Sequence, residues 1–555
     1  MRFDRFVVVA MLLVKVGAAG ESASGLEPPV PLFLESFECG DARRWSAVAG
    51  GTVPPGPPVG VFVPEVACSW SGPAAGDPFI GHVHVLDSPL VADLPPGLPG
   101  SREVVIVTYN ATDGGSDTCV GTTPGSFGVL RLVDAASCAT IANVSGLDER
   151  LIAAATPAIG DLDNDGVPEI VALRARDSVG AAYGPVAFKW DPVDARYERW
   201  WAASDTDLAA LCRWDGPVLH DLDDDGFAEV ISGYEVFDGR TGGRLDDGAF
   251  LPASTFGWQA VGDVDADGAP ELVATSLRSW VPATGTWQLE PGSTGAVGST
   301  AFADFGTPSG ASLDASVRDG IAEIVRSTSS PSAVTLERLD GTVVFSVANA
   351  GAGAPAIGDF DGDDRAEIAV SSGDKLRVLD LDCALPVAGC AAPFVRWAAD
   401  IQDFGSARSG TTAVDFDLDG RLEAVFADEC WLRVFDGLTG DVLASVARRS
   451  CTWSDEVAVA DSEGDGSGDL VVASNASCGV SCPTIDPIQR GMRCAGASNC
   501  LSGSCDAGYC RCADDSECPA AHSCVAPPPA TPGAGNTCRA NRGSDPTAGF
   551  QVIRE

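Results

Sequence analysis

A ten-residue acidic pattern recurs six times along the chain and limits the possible folds more than any other feature. Each copy has acids at positions 1, 3 and 5, usually a glycine at position 6, an acid at position 9, and then apolar residues. The copies are DLDNDGVPEI from Asp161, DLDDDGFAEV from Asp221, DVDADGAPEL from Asp263, DFDGDDRAEI from Asp359, DFDLDGRLEA from Asp415 and DSEGDGSGDL from Asp461. Six copies at domain-scale spacing indicate a repeat protein whose repeats are each built around a cation.

The chemistry of the copies favours calcium. Ca²⁺ takes about six to eight oxygen ligands at roughly 2.3–2.6 Å, whereas Mg²⁺ demands a smaller octahedral shell and keeps its waters. Acids at alternate positions of a tight loop can all point inward, and glycine at position 6 permits the backbone to reverse. Position 7 offers its carbonyl. The predicted ligands of about six calcium sites are Asp161, Asp163, Asp165, Val167, Glu169, Asp221, Asp223, Asp225, Phe227, Glu229, Asp263, Asp265, Asp267, Ala269, Glu271, Asp359, Asp361, Asp363, Arg365, Glu367, Asp415, Asp417, Asp419, Arg421, Glu423, Asp461, Glu463, Asp465, Ser467 and Asp469.

The loops differ from the EF-hand. An EF-hand places its closing glutamate at position 12 and is flanked by helices. Position 12 of the first copy is Ala172, and strand-forming residues follow Glu169. A strand also precedes each loop, so the unit is strand, calcium loop, strand. A simple acidic hairpin turn would explain one or two copies, but not an acid at position 9 in six.

The segments between the loops contain a second hairpin. Examples are VFDGRTGGRL from Val236, LDGTVVFSV from Leu339 and LRVFDGLTGDVLASV from Leu432. Asp-Gly between alternating apolar residues is a strong hairpin signal. Each repeat therefore holds four antiparallel strands, and such repeats predict an all-β propeller. A β-sandwich or a string of separate modules is the alternative, which the absence of linkers between repeats disfavours.

Two degenerate copies bear on the number of blades. Near Asp304 the loop is interrupted by an insertion, and whether Asp304, Asp314, Asp319 and Glu323 converge stays open. Earlier, SPLVADL ending at Leu94 and EVVIV from Glu103 match the flanking strands, with the loop acids interpreted as missing. Eight hairpins favour eight blades; seven remain if the copy at Asp93 is not a blade.

The loop motif resembles the FG-GAP/VCBS repeats of the integrin α-subunit propeller and of many secreted bacterial proteins, over roughly residues 80–480. In that family the loop joins the first two strands of a blade and holds Ca²⁺. The resemblance implies this role for Asp161, Asp163, Asp165 and Glu169 and for their equivalents. It also implies recognition of a protein or glycan. The chain departs from the family's loop motif at two positions, where Asp364 replaces the loop glycine and Glu463 replaces the second aspartate. Integrin propellers have seven blades, one fewer than the hairpin count favours here.

Outside the repeats, we divide the chain by composition. Residues 1–25 read as a secretory signal peptide, with basic residues before an apolar stretch. Residues 26–78 are rich in Pro and Gly and supply either a closing strand or a small module. The propeller is expected over 79–482 and a cysteine-rich module over 490–540. The tail 541–555 resembles an outer strand of the last blade, so either the module is inserted within that blade or the chain stops where a longer protein would continue.

The 19 cysteines fit an oxidising compartment and a secreted or surface protein. Predicted bridges in the propeller are Cys119–Cys138, Cys383–Cys390 and Cys430–Cys451. Eight more cysteines lie between Cys494 and Cys538 and loosely resemble EGF-like modules. Their pairing stays open, since eight cysteines allow 105 connectivities. Zinc is disfavoured there because His522 is the module's one histidine and no CxxC pair is present.

Charge and motif content narrow the function. With 78 acids against 35 bases, nucleic acid and anionic membranes are poor partners. The chain has four histidines and none of the common hydrolase, metalloprotease or phosphate-loop motifs. No segment after the signal is apolar enough to cross a bilayer. We therefore expect a monomeric, non-catalytic propeller that binds an extracellular protein or glycan. The alternatives are a polysaccharide-active enzyme on a propeller scaffold and a purely structural surface protein.

Overall fold

Short antiparallel strands make up nearly all of the regular structure in the computed structural model of the protein. The structure describes residues 64–97, 102–110, 127–175, 184–203, 214, 216–246, 260–274, 276–294, 298–310, 312–385, 389–403, 405–416, 419–450, 452, 456–465, 467–475, 480–494, 496–529, 531–542 and 548–554. The signal peptide expected at 1–25 lies outside these residues.

Eight propeller sheets follow one another in the described chain, and we number them as blades 1 to 8. The first strand, β1 (Glu65–Trp70), belongs to blade 8. Blade 1 consists of β2 (His84–Val85), β3 (Leu90–Ala92), β4 (Glu103–Tyr109), β5 (Val129–Asp134) and β6 (Thr140–Asn143). Blade 2 consists of β7 (Ala158–Gly160), β8 (Glu169–Leu173), β9 (Pro185–Asp191) and β10 (Arg196–Ala202). Blade 3 consists of β11 (Val218–His220), β12 (Glu229–Ser232), β13 (Glu235–Phe237) and β14 (Arg244–Asp246).

The remaining blades repeat this antiparallel order. Blade 4 consists of β15 (Ala260–Gly262), β16 (Glu271–Val273), β17 (Ser276–Val281) and β18 (Thr286–Thr294). Blade 5 consists of β19 (Gly298–Ala303), β22 (Glu323–Ser329), β23 (Ser332–Glu337) and β24 (Val343–Ala348), with an inserted hairpin of β20 (Thr307–Ser309) and β21 (Ser312–Asp314). Blade 6 consists of β25 (Ala356–Gly358), β26 (Glu367–Ser372), β27 (Lys375–Leu379) and β28 (Val395–Asp400). Blade 7 consists of β29 (Thr411–Val414), β30 (Glu423–Ala427), β31 (Trp431–Phe435) and β32 (Val442–Ala447).

Blade 8 is assembled from both ends of the described chain. Its sheet order is β1, β39 (Ala548–Arg554), β34 (Asp469–Asn475) and β33 (Ala458–Ala460). Strand β39 pairs antiparallel with β34 on one side and with β1 on the other. Propeller strands therefore begin before residue 79 and resume after residue 541. The cysteine-rich module lies between the second and third strands of this blade.

Hydrophobic cores between consecutive blades close the ring. One core packs Val107 of blade 1 against Phe188 of blade 2, and six further cores join each following pair of blades. An eighth core joins Val471 and Phe550 of blade 8 to Val104 of blade 1. The prediction of an all-β propeller is confirmed, and the eight-blade count is the correct one. The degenerate copy at Asp93 is a blade.

This arrangement explains the apolar run after each position-9 acid. The second strand of a blade is covered on both faces by neighbouring blades, so β4 and β8 are buried along their whole length. Strands buried on both faces need continuous apolar sequence. The outer strand β24 instead mixes exposed with buried positions.

The cysteine-rich module is a small sheet held by four disulfides. Its strands, in sheet order, are β35 (Cys505–Asp506), β36 (Tyr509–Cys512), β38 (Asn536–Ala540) and β37 (His522–Val525). The disulfides are Cys494–Cys505, Cys500–Cys510, Cys512–Cys524 and Cys518–Cys538. All eight thiols are thus committed to bridges. Among the described residues, short 3₁₀ helices span Leu381–Ala384 in blade 6 and Ala497–Asn499 and Asp515–Glu517 in the module.

Two of the three disulfides predicted for the propeller are wrong. Cys138 pairs with Cys68 rather than Cys119, and Cys430 pairs with Cys482 rather than Cys451. Cys383–Cys390 forms as predicted. The two errors share a cause, because ring closure and module docking bring together cysteines that are far apart in sequence. Within the described residues, no helix has the length and apolarity needed to cross a membrane.

Candidate calcium loops

The six predicted loops occupy the same place in their blades. Each joins the first strand of a blade to the second, as where β7 ends at Gly160 and β8 begins at Glu169. Because the blades repeat around the ring, equivalent connections lie at the same face of the propeller. Asp417 lies outside the described residues; the other predicted ligands are all described.

The acid at position 9 is anchored in the same way in all eight blades. Its carboxylate accepts a hydrogen bond from the backbone N–H of position 2, at 2.8 Å between Leu162 and Glu169. The seven other pairs are Leu94 with Glu103, Leu222 with Glu229, Val264 with Glu271, Phe305 with Glu323, Phe360 with Glu367, Phe416 with Glu423 and Ser462 with Asp469. These eight acids are buried. This bond involves one of the two oxygens of each carboxylate.

Backbone donors also orient the acids at positions 1 and 5. Asp161 accepts the N–H groups of Asp165 and Gly166 at 3.1 and 2.8 Å, and Asp165 accepts that of Val167 at 2.9 Å. The position-5 bond recurs in all six loops. The carboxylates are therefore positioned by the loop backbone itself.

Two loop positions require a left-handed backbone. Gly166 at position 6 has φ of +86°, and nothing lies within 4 Å of an added Cβ, so conformation rather than space selects glycine. Asn164 at position 4 has φ of +59°. Asp364, which replaces the position-6 glycine in blade 6, keeps the left-handed conformation at +67°. Aspartate is among the residues that tolerate this region.

The carboxylates converge on one point in the loops of blades 2 and 3. One oxygen from each of Asp161, Asp163 and Glu169 lies within 4.8 Å of the other two, and Asp221, Asp223 and Asp225 are grouped likewise. Oxygens on opposite sides of a bound Ca²⁺ would be about this far apart. Glu271 Oε1 in blade 4 is buried without a hydrogen-bond partner. The residues present therefore fit a hard cation.

Without a cation, burial disfavours ionisation of these acids. Burial raises the pKa of Glu169 and of Glu271 to about 7, and that of Glu229 to about 8, with the neighbouring loop aspartates adding to the rise. The pKa of Glu367 is raised well above its usual value, first by burial and then by Asp361. A bound cation would reverse this preference because it stabilises the charged form.

Basic side chains from other strands reach the loops of blades 2, 6 and 8. The ammonium of Lys189 contacts Asp163 and lies 2.7 Å from Asp165 Oδ2 and 3.4 Å from Glu169 Oε1. In blade 6, the guanidinium of Arg396 contacts Asp361. In blade 8, Arg554 NH1 lies 2.9 Å from Glu463 Oε2. The repeat pattern concealed these contacts, because the basic residues lie on other strands.

The degenerate loop of blade 5 keeps most of the hydrogen-bond pattern. Asp304 accepts the N–H of Gly320 at 2.7 Å, and Asp319 accepts that of Ile321 at 3.1 Å. With Glu323 they take the places of positions 1, 5 and 9. Asp314 instead accepts the N–H of Ser316 beside the inserted hairpin. The insertion removes the acid at position 3.

The interpretation that blade 1 lacks loop acids is wrong in part. Glu103 is a position-9 acid, fully buried, with its Oε1 lacking a hydrogen-bond partner. Burial raises its pKa to about 7, and Asp93 and Asp134 add to the rise. The sequence did contain a signal, since Glu103 precedes an apolar run just as Glu169 does.

Comparison with known proteins identifies the fold alone. No family model and no curated protein matches the sequence. The crystal structure of the V. cholerae biofilm matrix protein Bap1 matches with a TM-score of 0.53 and 15% identity, covering 75% of this chain and 89% of that one. The crystal structure of BamB from Moraxella catarrhalis matches with a TM-score of 0.38 and 10% identity, covering 74% of this chain and 97% of that one. The crystal structure of Saccharomyces cerevisiae Sqt1 matches with a TM-score of 0.40 and 11% identity, covering 73% of this chain and 96% of that one.

Proposed function

We propose that the protein is a secreted or cell-surface β-propeller that is stabilised by calcium and recognises a protein or glycan without catalysis. The calcium part rests on one observation. Loop carboxylates are oriented by backbone donors toward a common point, and buried oxygens such as Glu271 Oε1 have no hydrogen-bond partner. A buried polar atom without a partner is costly, and a cation would remove that cost.

In this proposal each carboxylate has a distinct part. The acids at positions 1 and 5 would bind the ion while also closing the turn, and the acid at position 9 would tie the loop to the second strand of its blade. The acid at position 3 accepts a backbone N–H in some loops, as Asp265 does from Asp267 at 3.1 Å, and would serve mainly as a ligand. Calcium would neutralise acids that otherwise repel one another, and so stabilise each blade by mass action.

The extracellular location is supported by the disulfides. Seven bridges are present among the described residues, including four in the small cysteine-rich module. Such bridges persist in oxidising compartments and are rare in the cytosol. The likeness of fold to a biofilm matrix protein is compatible with a role in adhesion or surface recognition.

The test has two parts. Thermal unfolding in calcium and in EDTA, with bound metal counted by mass spectrometry, examines the cation. We expect several bound ions and a large fall in Tm on chelation, whereas no bound metal and no shift would overturn calcium binding. Binding to glycan and protein arrays in calcium and in EDTA then examines recognition. Calcium-dependent retention on a defined ligand supports it, and absence of retention favours a structural surface protein.

A further inference from the structure

In the six blades with intact loops, one residue at or just beyond the end of the third strand lies opposite the position-9 acid. In blade 4 it is Ser279, the register partner of Glu271. In blade 2, Ile170 pairs with Phe188, so Lys189 is the residue beside Glu169. In blade 8, Leu470 pairs with Ile553, which places Arg554 beside Asp469. The same count in blades 3, 6 and 7 gives Asp238, Asp380 and Asp436.

Lys189 fills the loop of blade 2. Its ammonium contacts Asp163, Asp165 and Glu169 together, the last at 3.4 Å from Oε1. A lysine ammonium has three N–H donors and no acceptor, which suits three carboxylates around one point. Its nitrogen also lies 5.2 Å from the ring centroid of Trp200. The side chain is therefore held from both sides.

Arg554 takes a corresponding place in blade 8. Its guanidinium lies 2.9 Å from Glu463 Oε2 and 3.6 Å from Asp469 Oδ2. It also donates to Ser462 Oγ at 3.1 Å and to Ala135 O at 3.3 Å. This is the loop in which glutamate replaces the position-3 aspartate. The longer acid matches a cation that comes from the neighbouring strand.

We propose that Lys189 and Arg554 are built-in counter-ions, so that the loops of blades 2 and 8 do not take up calcium and the loops of blades 3, 4, 6 and 7 do. This inference rests on the proposed calcium function. A Ca²⁺ ion in blade 2 would have to displace the tethered ammonium from the same oxygens, or lie close beside a like charge. The protein then carries about four calcium ions, not about six.

The basic residues near the loops of blades 3 and 6 do not act in this way. In blade 6, Arg396 contacts Asp361, but it also lies 2.6 Å from Asp380, the extra carboxylate at the register position. In blade 3, Arg240 lies 3.5 Å from Asp225 and 3.6 Å from Asp238. The additional aspartate offsets the basic group in both blades. In blade 4 the register residue is neutral.

The test counts the calcium ions bound to the full chain by native mass spectrometry. Serine replaces Lys189 and Arg554 in the variants because blade 4 has serine at the same position. Wild type should bind four ions, and Lys189→Ser and Arg554→Ser five each. Ser279→Lys, which introduces the counter-ion, should bind three. This reverse variant keeps the inference testable if Lys189→Ser fails to fold.

Thermal unfolding supplies a second readout. In EDTA, Lys189→Ser should have a lower Tm than wild type, because the acids of its loop lose their counter-ion. Adding calcium should bring the Tm of the variant back to the wild-type value. Lys375→Ser is the matched control, since Lys375 pairs with Asp400 away from the loops. Six ions on wild type, with no gain in Lys189→Ser and no loss in Ser279→Lys, would overturn this inference alone. No calcium on any of the proteins would overturn the proposed function with it.

Discussion

Trp70 and Phe550 are register partners on β1 and β39, and their rings stack with centroids 6.1 Å apart. They come from opposite ends of the described chain and meet within blade 8. Phe550 also belongs to the core shared with blade 1. Adjacent Gly549 has φ of +85°, and an added Cβ there would lie 1.8 Å from Trp70 O. The two strands are thus closely packed where the ring closes.

Phe550→Ala should destabilise this closure strongly. The side chain is fully buried, and Phe→Ala changes in cores cost about 3–5 kcal/mol. Urea unfolding followed by tryptophan fluorescence would measure the loss. Leu501→Ala is the control, because Leu501 is 70% exposed and should change stability by less than about 0.5 kcal/mol. Equal effects of the two changes would show that this contact does not secure the ring.

Glu271→Gln should remove one bound calcium ion. The glutamine carbonyl can still accept the N–H of Val264, which Glu271 accepts at 3.0 Å, so the loop should keep its shape. We expect a lower Tm in calcium but no loss in EDTA, because the acid is buried next to other acids. If calcium is present at about 100 times its Kd, the loss is about 2.7 kcal/mol. Asp340→Asn, at an exposed turn of blade 5, should leave the Tm in calcium and the Tm in EDTA unchanged.

Arg433→Met should loosen the contact between blade 7 and the segment that leads into the cysteine-rich module. Arg433 is fully buried between Asp428 and Asp486, with its Nε 2.9 Å from Asp486 Oδ2. Removing one partner of a buried ion pair costs about 3–5 kcal/mol, because the remaining charge loses its compensation. Limited proteolysis of the module and urea unfolding would report the change. Unaltered protease resistance would show that the other contacts with blade 7, such as the Cys430–Cys482 disulfide and the pair of Arg490 with Asp441, hold the module without Arg433.

The loss of folding stability caused by Arg433→Met should also increase as the pH rises. Burial would raise the pKa of the Asp486 carboxyl, but Arg433 outweighs it and holds that pKa below the usual value. The wild-type protein therefore keeps the stability that this ion pair contributes at pH values above the carboxyl's pKa in the unfolded chain, and it loses that stability as the pH falls. In the variant the carboxyl must be protonated or buried as a bare charge, so the difference in stability should be larger at pH 8 than at pH 5. Arg196→Met, which removes an exposed pair with Glu198, should show little effect at either pH.

Asp87→Asn should make the protein less sensitive to alkaline pH. Burial raises the pKa of the Asp87 carboxyl well above its usual value, and its Oδ2 accepts the N–H of Val107 at 3.1 Å. A raised carboxyl pKa in the folded state means that stability is highest below the unfolded pKa of about 4 and falls as pH rises toward the folded value.

Urea unfolding at pH 5 and pH 8 tests this prediction. Wild type should lose more stability between the two values than Asp87→Asn, because asparagine cannot ionise. Asp148→Asn at an exposed site serves as the control and should keep the wild-type dependence. Identical slopes in all three proteins would mean that Asp87 ionises at no cost in the fold.

Local sequence could determine the repeat, the loop and the strands around it. Asp161 to Glu169 carries in nine residues the acids, the left-handed glycine and the start of a doubly buried strand, so backbone geometry and burial can be read directly from it. The eight-blade count follows from the same periodicity. The position-9 acid at Glu103 was also within reach, but an insertion between Leu94 and Glu103 disguised it.

Tertiary structure alone decided the features that depend on strands far apart in sequence. The pairing of Cys68 with Cys138 requires that β1 join blade 8 beside blade 1, which no local pattern reveals. The contact of Lys189 with Glu169 depends on the register between β8 and β9, and a shift of one residue would turn the lysine to the other face of the sheet. Local patterns thus determined where the loop acids lie, whereas the charge facing each loop was decided by strand pairing.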